Sequence, residues 1–389
     1  MDIRKLELLR EKLAGELHFD EVMRTLYATD ASAYREMPLA VAIPKTEEDL
    51  FELVNFAREN GSSIIPRTAG TSLAGQVVGG GIVVDVSVHF GEILEINKEE
   101  HWVRVQPSVI RDDLNRFLAD YGLFFGPETS TSSRCMIGGM VGNNACGARS
   151  VIYGSTREHL LEVTAILADG TKAVFKDLTP EEFLNKANGL GVVGETENQI
   201  YFDIREMLSK EDNRAEIARE FPKKSIPRRN TGYAIDLLSD SQPFDENGDK
   251  FNFCKLIAGS EGTLCLITEV KINCVPVLPK NVAMMCPHFD TIDASLRGTL
   301  IALKHNPSQV ELMDDIVLEC TKANAEQKEN RVFVNGDPKA LLMVELHRET
   351  PEELEQALKD LRASYEEAGL GYDFPILYGS DISKALTLR

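Results

Sequence analysis

The sequence predicts an α+β fold in two units, and three observations support it. Short apolar runs flank a helical pattern over residues 40–66, the strand, helix, strand order of an α/β beginning. Pro276 and Pro279 then interrupt the pattern. After these prolines, strand and helix patterns alternate from 282 to 378, an order that we assign to a second α+β unit with an antiparallel sheet.

Local signals justify the elements of the first unit. Thr46 and Asp49 have the spacing of a capping box, and Gly61 suits the position after the helix that they begin. Asp169 and Gly170 lie between two apolar runs, which predicts a hairpin. Helical patterns cover 3–13, 47–60, 109–121 and the polar stretch 179–221. Strands are predicted over 41–44, 62–65, 82–86, 93–96, 102–106, 163–167, 172–175 and 265–270.

The second unit has the same kind of support. The predicted strands cover 282–286, 309–313, 341–346 and 374–378. The predicted helices cover 291–304, 315–325 and 351–367. We therefore expect an N-terminal helical segment over 1–35, a first domain over 36–276 and a second domain over 277–389.

A glycine-rich loop over residues 66–76 joins two of the predicted strands. No helix opens behind it, unlike a Walker-type phosphate loop or a Rossmann fingerprint. Glycines allow positive φ, and successive N–H groups in such a loop form an anion-binding concavity. Hydroxyl donors and one cation lie in the same loop, at Thr68, Thr71, Ser72 and Arg67. These features favour a pyrophosphate bound without metal, with a wide hairpin loop as the alternative.

Two further glycine-rich stretches follow, at 126–147 and at 259–264. With them the sequence resembles the FAD-binding family of vanillyl-alcohol oxidase type, in the branch that holds glycolate oxidase, D-lactate dehydrogenase and D-2-hydroxyglutarate dehydrogenase. Three motifs match in order, namely Arg67–Gln76, Ile137–Gly147 and Gly259–Glu269. The resemblance runs from about Leu39 to the last residue.

The resemblance implies a two-subdomain FAD-binding domain of vanillyl-alcohol oxidase (PCMH) type, followed by a partial α+β cap domain. The first motif would carry the pyrophosphate, the second the isoalloxazine and ribityl side, and the third the adenosine end. No histidine occurs in 66–76, so we expect FAD to be non-covalent. The implied cofactor-binding residues are Pro66, Arg67, Thr68, Ala69, Gly70, Thr71, Ser72, Leu73, Gln76, Pro127, Glu128, Thr131, Ile137, Gly138, Gly139, Gly142, Asn143, Asn144, Gly147, Glu261, Gly262 and Ile267.

The implied reaction is hydride transfer from a D-2-hydroxy acid to flavin, giving a 2-oxo acid. The substrate would be a small anion of the D-lactate, glycolate or 2-hydroxyglutarate class. The acceptor would be a quinone, a cytochrome or an iron–sulfur domain or subunit. Two alternatives remain open: an FAD module that is inactive without further segments or an iron–sulfur partner, and a transferase of the same fold, like alkyl-dihydroxyacetone-phosphate synthase.

Two residues are candidates for catalysis. Arg389 matches the arginine with which the family binds the substrate carboxylate, although Leu386 stands where tryptophan is usual. His347 is the candidate base to inspect first, although a histidine on a strand is more often structural. The family's later motif with two histidines does not occur in this chain. We therefore expect the chain to bind FAD but to turn over 2-hydroxy acids poorly or not at all.

Composition limits the partners. Lys and Arg number 42 against 62 Asp and Glu, a net charge of −20 that argues against nucleic-acid binding. No apolar stretch approaches the ~20 residues of a membrane span. The charged N-terminus predicts a cytoplasmic protein, with peripheral attachment at the inner face of the membrane as an alternative. No C-x-x-C pair occurs, so no metal site is predicted.

Overall fold

The computed structural model describes residues 3–226, 228–229 and 232–388. The chain divides into two compact units. The first contains the residues up to Cys146 together with Ser155–Pro276, and the second contains Gly147–Gly154 and the residues from Val277 onward. The chain therefore leaves the first unit for eight residues, returns to it, and leaves it again after Pro276.

The strands up to residue 276 are β1 (Glu16–His18), β2 (Ala40–Ile43), β3 (Ile64–Arg67), β4 (Ile82–Asp85), β5 (Ile93–Asn97), β6 (Trp102–Val105), β7 (Leu123–Phe124), β8 (Leu160–Ile166), β9 (Lys172–Phe175), β10 (Leu266–Asn273) and β11 (Val275–Pro276). The helices are α1 (Ile3–Lys12), α2 (Glu21–Leu26), α3 (Glu47–Glu59), α4 (Arg111–Ala119), α5 (Ile137–Asn143), α6 (Ser150–Tyr153), α7 (Thr156–His159), α8 (Pro180–Ala187), α9 (Glu195–Leu208), α10 (Glu211–Glu220), α11 (Ile235–Ser239) and α12 (Cys254–Ile257).

The remaining strands are β12 (Asn281–Met285), β13 (His288–Phe289), β14 (Gln309–Asp314), β15 (Ala340–Arg348) and β16 (Ile376–Leu377). The helices are α13 (Ile292–Ala302), α14 (Asp315–Lys322), α15 (Pro351–Glu367) and α16 (Ser380–Leu388), with short 3-10 turns at Leu303–His305 and Lys328–Arg331. No helix in the described ranges has both the length and the apolarity of a membrane span.

The first sheet carries the glycine-rich loop. Its strand order is β1-β2-β4-β3, and β4 runs parallel to both β2 and β3. A hairpin would require β3 and β4 to be antiparallel, so the hairpin alternative for the loop is wrong. The capping box of Thr46 and Asp49 is present at the start of α3. Leu50 and Leu53 of that helix are fully buried in the core beneath this sheet.

The second sheet supports the other two glycine motifs. Its order is β5-β6-β10-β8-β9, and every pair is antiparallel. The predicted hairpin is confirmed, with Ile166 paired to Lys172 across the Asp169–Gly170 turn. The second motif contains the helix α5, which the sequence did not predict, because the glycines that it contains are poor helix formers.

The second unit is an antiparallel sheet with β15 paired to β12, β13 and β14, which confirms the predicted sheet type. Leu342, Val344 and Leu346 of β15 pack against α13 and α15. Alternate residues, among them Met343, lie on the opposite face. The segment 147–154 packs on this unit through α6, which contacts β14.

Candidate cofactor site

The glycine-rich loop presents a row of unused main-chain donors. Within the described part of the chain, the N–H groups from Ala69 to Leu73 donate to no protein acceptor. Gly70 has φ +64 and Gly75 has φ +77, conformations that side chains other than glycine rarely adopt. Leu73 is 79% exposed. Consecutive free N–H groups in such a turn form a concavity for an anion.

The cation of the loop is fixed by the protein. Arg67 donates to the Thr29 carbonyl at 2.8 Å, and its guanidinium lies 5.0 Å from the centre of the Tyr27 ring. The Tyr27 hydroxyl donates to the buried Asp85 at 2.7 Å. Burial of Tyr27 and this carboxylate raise the pKa of the phenol. Arg67 of β3 is therefore linked through Tyr27 to Asp85 of β4, and this network restrains the loop.

Residues 27–36, which we name the N-terminal strap, run beside the loop. Ala31 donates its N–H to the Gly70 carbonyl at 3.2 Å. A Cβ added at Gly75 would lie 2.9 Å from the Tyr34 ring, so the Gly75 backbone lies directly against that side chain. Sequence reasoning missed the strap, because none of its residues belongs to a glycine motif.

The second motif meets the first through α5. Gly138 donates its N–H to the Pro107 carbonyl at 2.8 Å, and a Cβ there would lie 2.5 Å from the proline ring. A Cβ on Gly139 would lie 2.6 Å from the Thr68 hydroxyl. These glycines therefore allow the helix to pack closely against Thr68 of the loop and against Pro107, which follows β6.

The third motif contacts both of the other motifs. Glu261 donates its N–H to the Gly142 carbonyl at 2.9 Å. A Cβ on Gly262 would lie 3.3 Å from the Pro66 ring. The Gln76 amide donates to Asn143 at 3.2 Å and to the Glu261 carboxylate at 3.3 Å, so one side chain joins all three motifs.

Two buried polar atoms lack partners near these motifs. Asn144, at φ 48 after α5, accepts from the Ser155 hydroxyl at 2.8 Å and from the Arg157 N–H at 2.9 Å. Its Nδ2 has no partner among the described residues, although Asn144 is only 4% exposed. The Oδ2 of Asp30 in the strap is likewise buried without a described partner. Buried polar atoms are normally satisfied, so such atoms suggest a ligand.

This donor set fits FAD. The free N–H groups of the loop would hold its pyrophosphate, as an anion-binding concavity does. The Asn144 donor and the Asp30 acceptor, which have no described partner, suit the polar atoms of a flavin nucleotide. The glycines of α5 present main chain rather than side chains on the part of the site that the second motif forms.

For several predicted site residues, the structure shows contacts within the protein that do not indicate a cofactor role. Thr131 lies 3.3 Å from the Thr129 hydroxyl, and the buried Pro127 accepts from Arg111 at 3.1 Å. Gly147 belongs to the second unit, where Ser150 donates to its carbonyl at 2.9 Å. Cofactor roles for these residues and for Glu128, Ile137 and Ile267 stay predictions; Ile137 is buried and Ile267 packs against the same core.

The catalytic candidates belong to the second unit or lie beyond the described residues. His347 on β15 has its Nδ1 2.7 Å from the Pro279 carbonyl and its Nε2 3.1 Å from the Glu345 carboxylate. Both neighbours are protein acceptors, so the ring is held between two groups of the second unit, and its role as a base stays a prediction. Arg389 lies outside the described residues.

Comparisons with known proteins agree with this geometry. Residues 38–175 match the FAD binding domain, and residues 278–380 match the C-terminal domain of FAD linked oxidases. The D-2-hydroxyglutarate dehydrogenase of Escherichia coli (strain K12) is 35% identical over 321 residues, 81% of this chain and 30% of that protein. The glycolate oxidase protein GlcD of the same organism is 34% identical over 323 residues, 82% of this chain and 51% of that protein.

A solved structure of alkyldihydroxyacetonephosphate synthase matches with a TM-score of 0.66 at 14% identity. It aligns with 100% of this chain, which covers 64% of that structure, and shows the fold alone. The predicted fold class is confirmed. The chain spans 30% of the length of the hydroxyglutarate dehydrogenases that it matches. With both domain matches in place, the chain belongs to the FAD-linked oxidases of vanillyl-alcohol oxidase type.

Proposed function

We propose that this protein is an FAD-dependent oxidoreductase that oxidises a D-2-hydroxy acid to the 2-oxo acid. The observation that carries the proposal is the row of N–H groups from Ala69 to Leu73 that have no acceptor among the described residues, beside which the other two glycine motifs lie. The names of the hydroxyglutarate dehydrogenase and glycolate oxidase relatives support the substrate class.

In this proposal the protein holds and orients the cofactor. When bound, FAD accepts the hydride of the substrate α-carbon. The loop binds the pyrophosphate, and Gln76 keeps the three motifs together through Asn143 and Glu261. We propose non-covalent attachment, since residues 66–76 contain no histidine. Acid precipitation then releases the flavin to the supernatant, whereas a yellow pellet would contradict this.

The domain assignment and the partners are parts of the same proposal. We place the FAD-binding domain at 36–276, after an N-terminal segment over 1–35, and a part of the substrate domain at 277–389. The matches over 38–175 and 278–380 support these boundaries. The substrate is a small anion, whose carboxylate we assign to Arg389 as the resemblance implies. A quinone, a cytochrome or an iron–sulfur domain or subunit accepts the electrons.

A transferase of the same fold is the second candidate. The likeness to alkyldihydroxyacetonephosphate synthase favours it, because that structure aligns with 100% of this chain. The similarity at 14% identity carries the fold and not the reaction. The D-2-hydroxyglutarate dehydrogenase relatives are more than 30% identical, so oxidation is the better supported reaction.

An anaerobic titration separates the candidates. The protein is saturated with FAD and titrated with D-lactate, glycolate and D-2-hydroxyglutarate, while flavin absorbance is followed, with the L-enantiomers of the chiral acids as controls. Bleaching by a D-acid or by glycolate supports the dehydrogenase. FAD binding without bleaching by any of them supports a module without turnover or a transferase. A protein that binds no FAD would contradict the whole proposal.

A further inference from the structure

A buried ionic cluster lies in the second unit, on one face of its sheet. Glu345 of β15 is 3% exposed. Its Oε1 accepts from the Ser308 hydroxyl at 2.6 Å, and the Nε2 of His347 and Nη2 of Arg149 lie 3.1 Å and 3.4 Å away. Burial alone would raise the pKa of Glu345, but His347 and Arg149 outweigh it and lower the pKa to about 2. The carboxylate is therefore ionised at neutral pH.

Arg149 and His347 share this carboxylate. His347 lies between two acceptors, with Nδ1 toward the Pro279 carbonyl and Nε2 toward the Glu345 carboxylate. Arg149 is always charged. Removal of the Glu345 charge would leave the partly buried Arg149 guanidinium without its counter-ion, the costly outcome for a buried ion pair.

Arg149 connects the cluster to a particular stretch of chain. It lies in the segment 147–154, which belongs to the second unit. In the sequence, this segment is flanked on both sides by residues of the first unit. Arg149 also precedes α6 directly, and α6 contacts β14. The segment begins at Gly147, the last residue of the second glycine motif. A restraint on Arg149 is therefore a restraint on the end of that motif, two residues earlier in the chain.

We propose that Glu345 is a positioning residue for the cofactor site. Its carboxylate holds Arg149, fixes the segment 147–154 on the second unit and so limits the positions that the end of the second glycine motif can adopt. This inference rests on the proposed FAD function. Ordering the segment before the cofactor arrives means that FAD does not have to supply the ordering free energy, which tightens binding.

The test compares two acid-to-amide variants in the same unit. Glu345→Gln preserves side-chain volume and removes the charge. Asp315→Asn is the matched control, because Asp315 pairs with Lys339 at 2.8 Å with both side chains exposed. Hydrogen–deuterium exchange of peptides covering 147–154 reports the segment, and flavin fluorescence titration reports the FAD dissociation constant. We expect Glu345→Gln to increase exchange and to raise the dissociation constant about fivefold or more, the lower range of coupling between sites. Asp315→Asn should change neither.

Several outcomes would overturn the inference. Increased exchange with unchanged FAD affinity would show an anchor without a role in positioning. Unchanged exchange over 147–154 would show that Glu345 does not hold this segment in place. Equal effects from Asp315→Asn would show a general loss of stability. If Glu345→Gln does not fold, Arg149→Gln takes its place and should change both readouts in the same direction. A wild-type protein that binds no FAD contradicts the proposed function. In that case, the exchange measurement over 147–154 still tests whether Glu345 holds the segment in place.

Discussion

The cofactor loop of the first unit and the Glu345 cluster of the second handle polar groups in opposite ways. The loop presents main-chain donors with no protein acceptor in the described chain, and its cation Arg67 is occupied by Thr29 and Tyr27. The cluster contains charged side chains that neutralise one another away from water. Unsatisfied donors are useful only where a ligand completes them, whereas a completed cluster stabilises its own surroundings. The comparison separates a binding site from an anchor.

The largest expected effect tests the anchor. Glu345→Ala removes the counter-ion of Arg149, and breaking a buried pair in this way costs about 3–5 kcal/mol of unfolding free energy. The single tryptophan, Trp102, lies in β6 of the first unit, so its fluorescence reports that unit alone. In urea, we expect circular dichroism to show an early transition while the Trp102 transition stays in place.

Ser308→Ala is the matched control for this variant. It removes the hydroxyl that donates to the Glu345 carboxylate and leaves Arg149 and His347 beside that carboxylate. Its cost should be about 1–2 kcal/mol, well below that of Glu345→Ala. Equal shifts of the circular dichroism and Trp102 transitions in Glu345→Ala would contradict a local anchor.

Acid provides the next test. The pKa of Glu345 is lowered from 4.5 to about 2, so its stabilisation is fully present above pH 4.5 and is lost as the pH falls toward 2. The shift corresponds to about 3 kcal/mol. We expect the stability difference between wild type and Glu345→Gln, measured by urea unfolding, to shrink between pH 5 and about pH 2. A difference that does not change with pH would show that Glu345 is not ionised in the folded state.

The contrast between the two regions also explains what the sequence could predict. The cofactor site is formed by contiguous motifs, so their glycines and order were visible and the structure brings all three together. The capping box at Thr46 and the turn at Asp169–Gly170 were equally local signals. Within the site, α5 was missed, because its glycines argue against a helix.

The Glu345 cluster could not be predicted in this way. Arg149 and Glu345 are 196 positions apart, and Ser308 lies just before β14. No local pattern marks residues that meet only when a sheet assembles. The register that places Gln309 opposite Glu345 depends on the pairing of β14 with β15, which is a property of the folded sheet. The strap residue Tyr27 escaped prediction for the same reason, since its partner Asp85 is 58 positions away.

A substitution in the glycine-rich loop should have a smaller effect on FAD affinity, and the chain offers a control glycine with a similar φ. Gly70→Val places a β-branched residue at φ +64, with its Cβ 2.7 Å from the Arg67 guanidinium. Strain of about 1–3 kcal/mol in the loop should weaken FAD binding by roughly 5- to 150-fold. Gly61→Val imposes similar strain at φ +60 with no atom within 4 Å of the new Cβ. It should reduce stability without changing FAD affinity in a fluorescence titration. Equal losses of affinity would mean that Gly70 acts only through general stability.

The smallest effect tests the strap behind the loop. Tyr27→Phe keeps the ring beside Arg67 and removes only the hydroxyl that donates to Asp85 at 2.7 Å. Such a hydrogen bond contributes about 1–3 kcal/mol to stability. Only the part transmitted through Arg67 should reach the loop, so we expect a loss of FAD affinity below about fivefold, or less than about 1 kcal/mol. Tyr378→Phe, at a side chain that is 52% exposed, is the control and should change nothing. Unchanged affinity in Tyr27→Phe would show that the strap does not support the loop. A loss of tenfold or more would show that the hydroxyl contacts the cofactor itself, and the strap would then belong to the binding site.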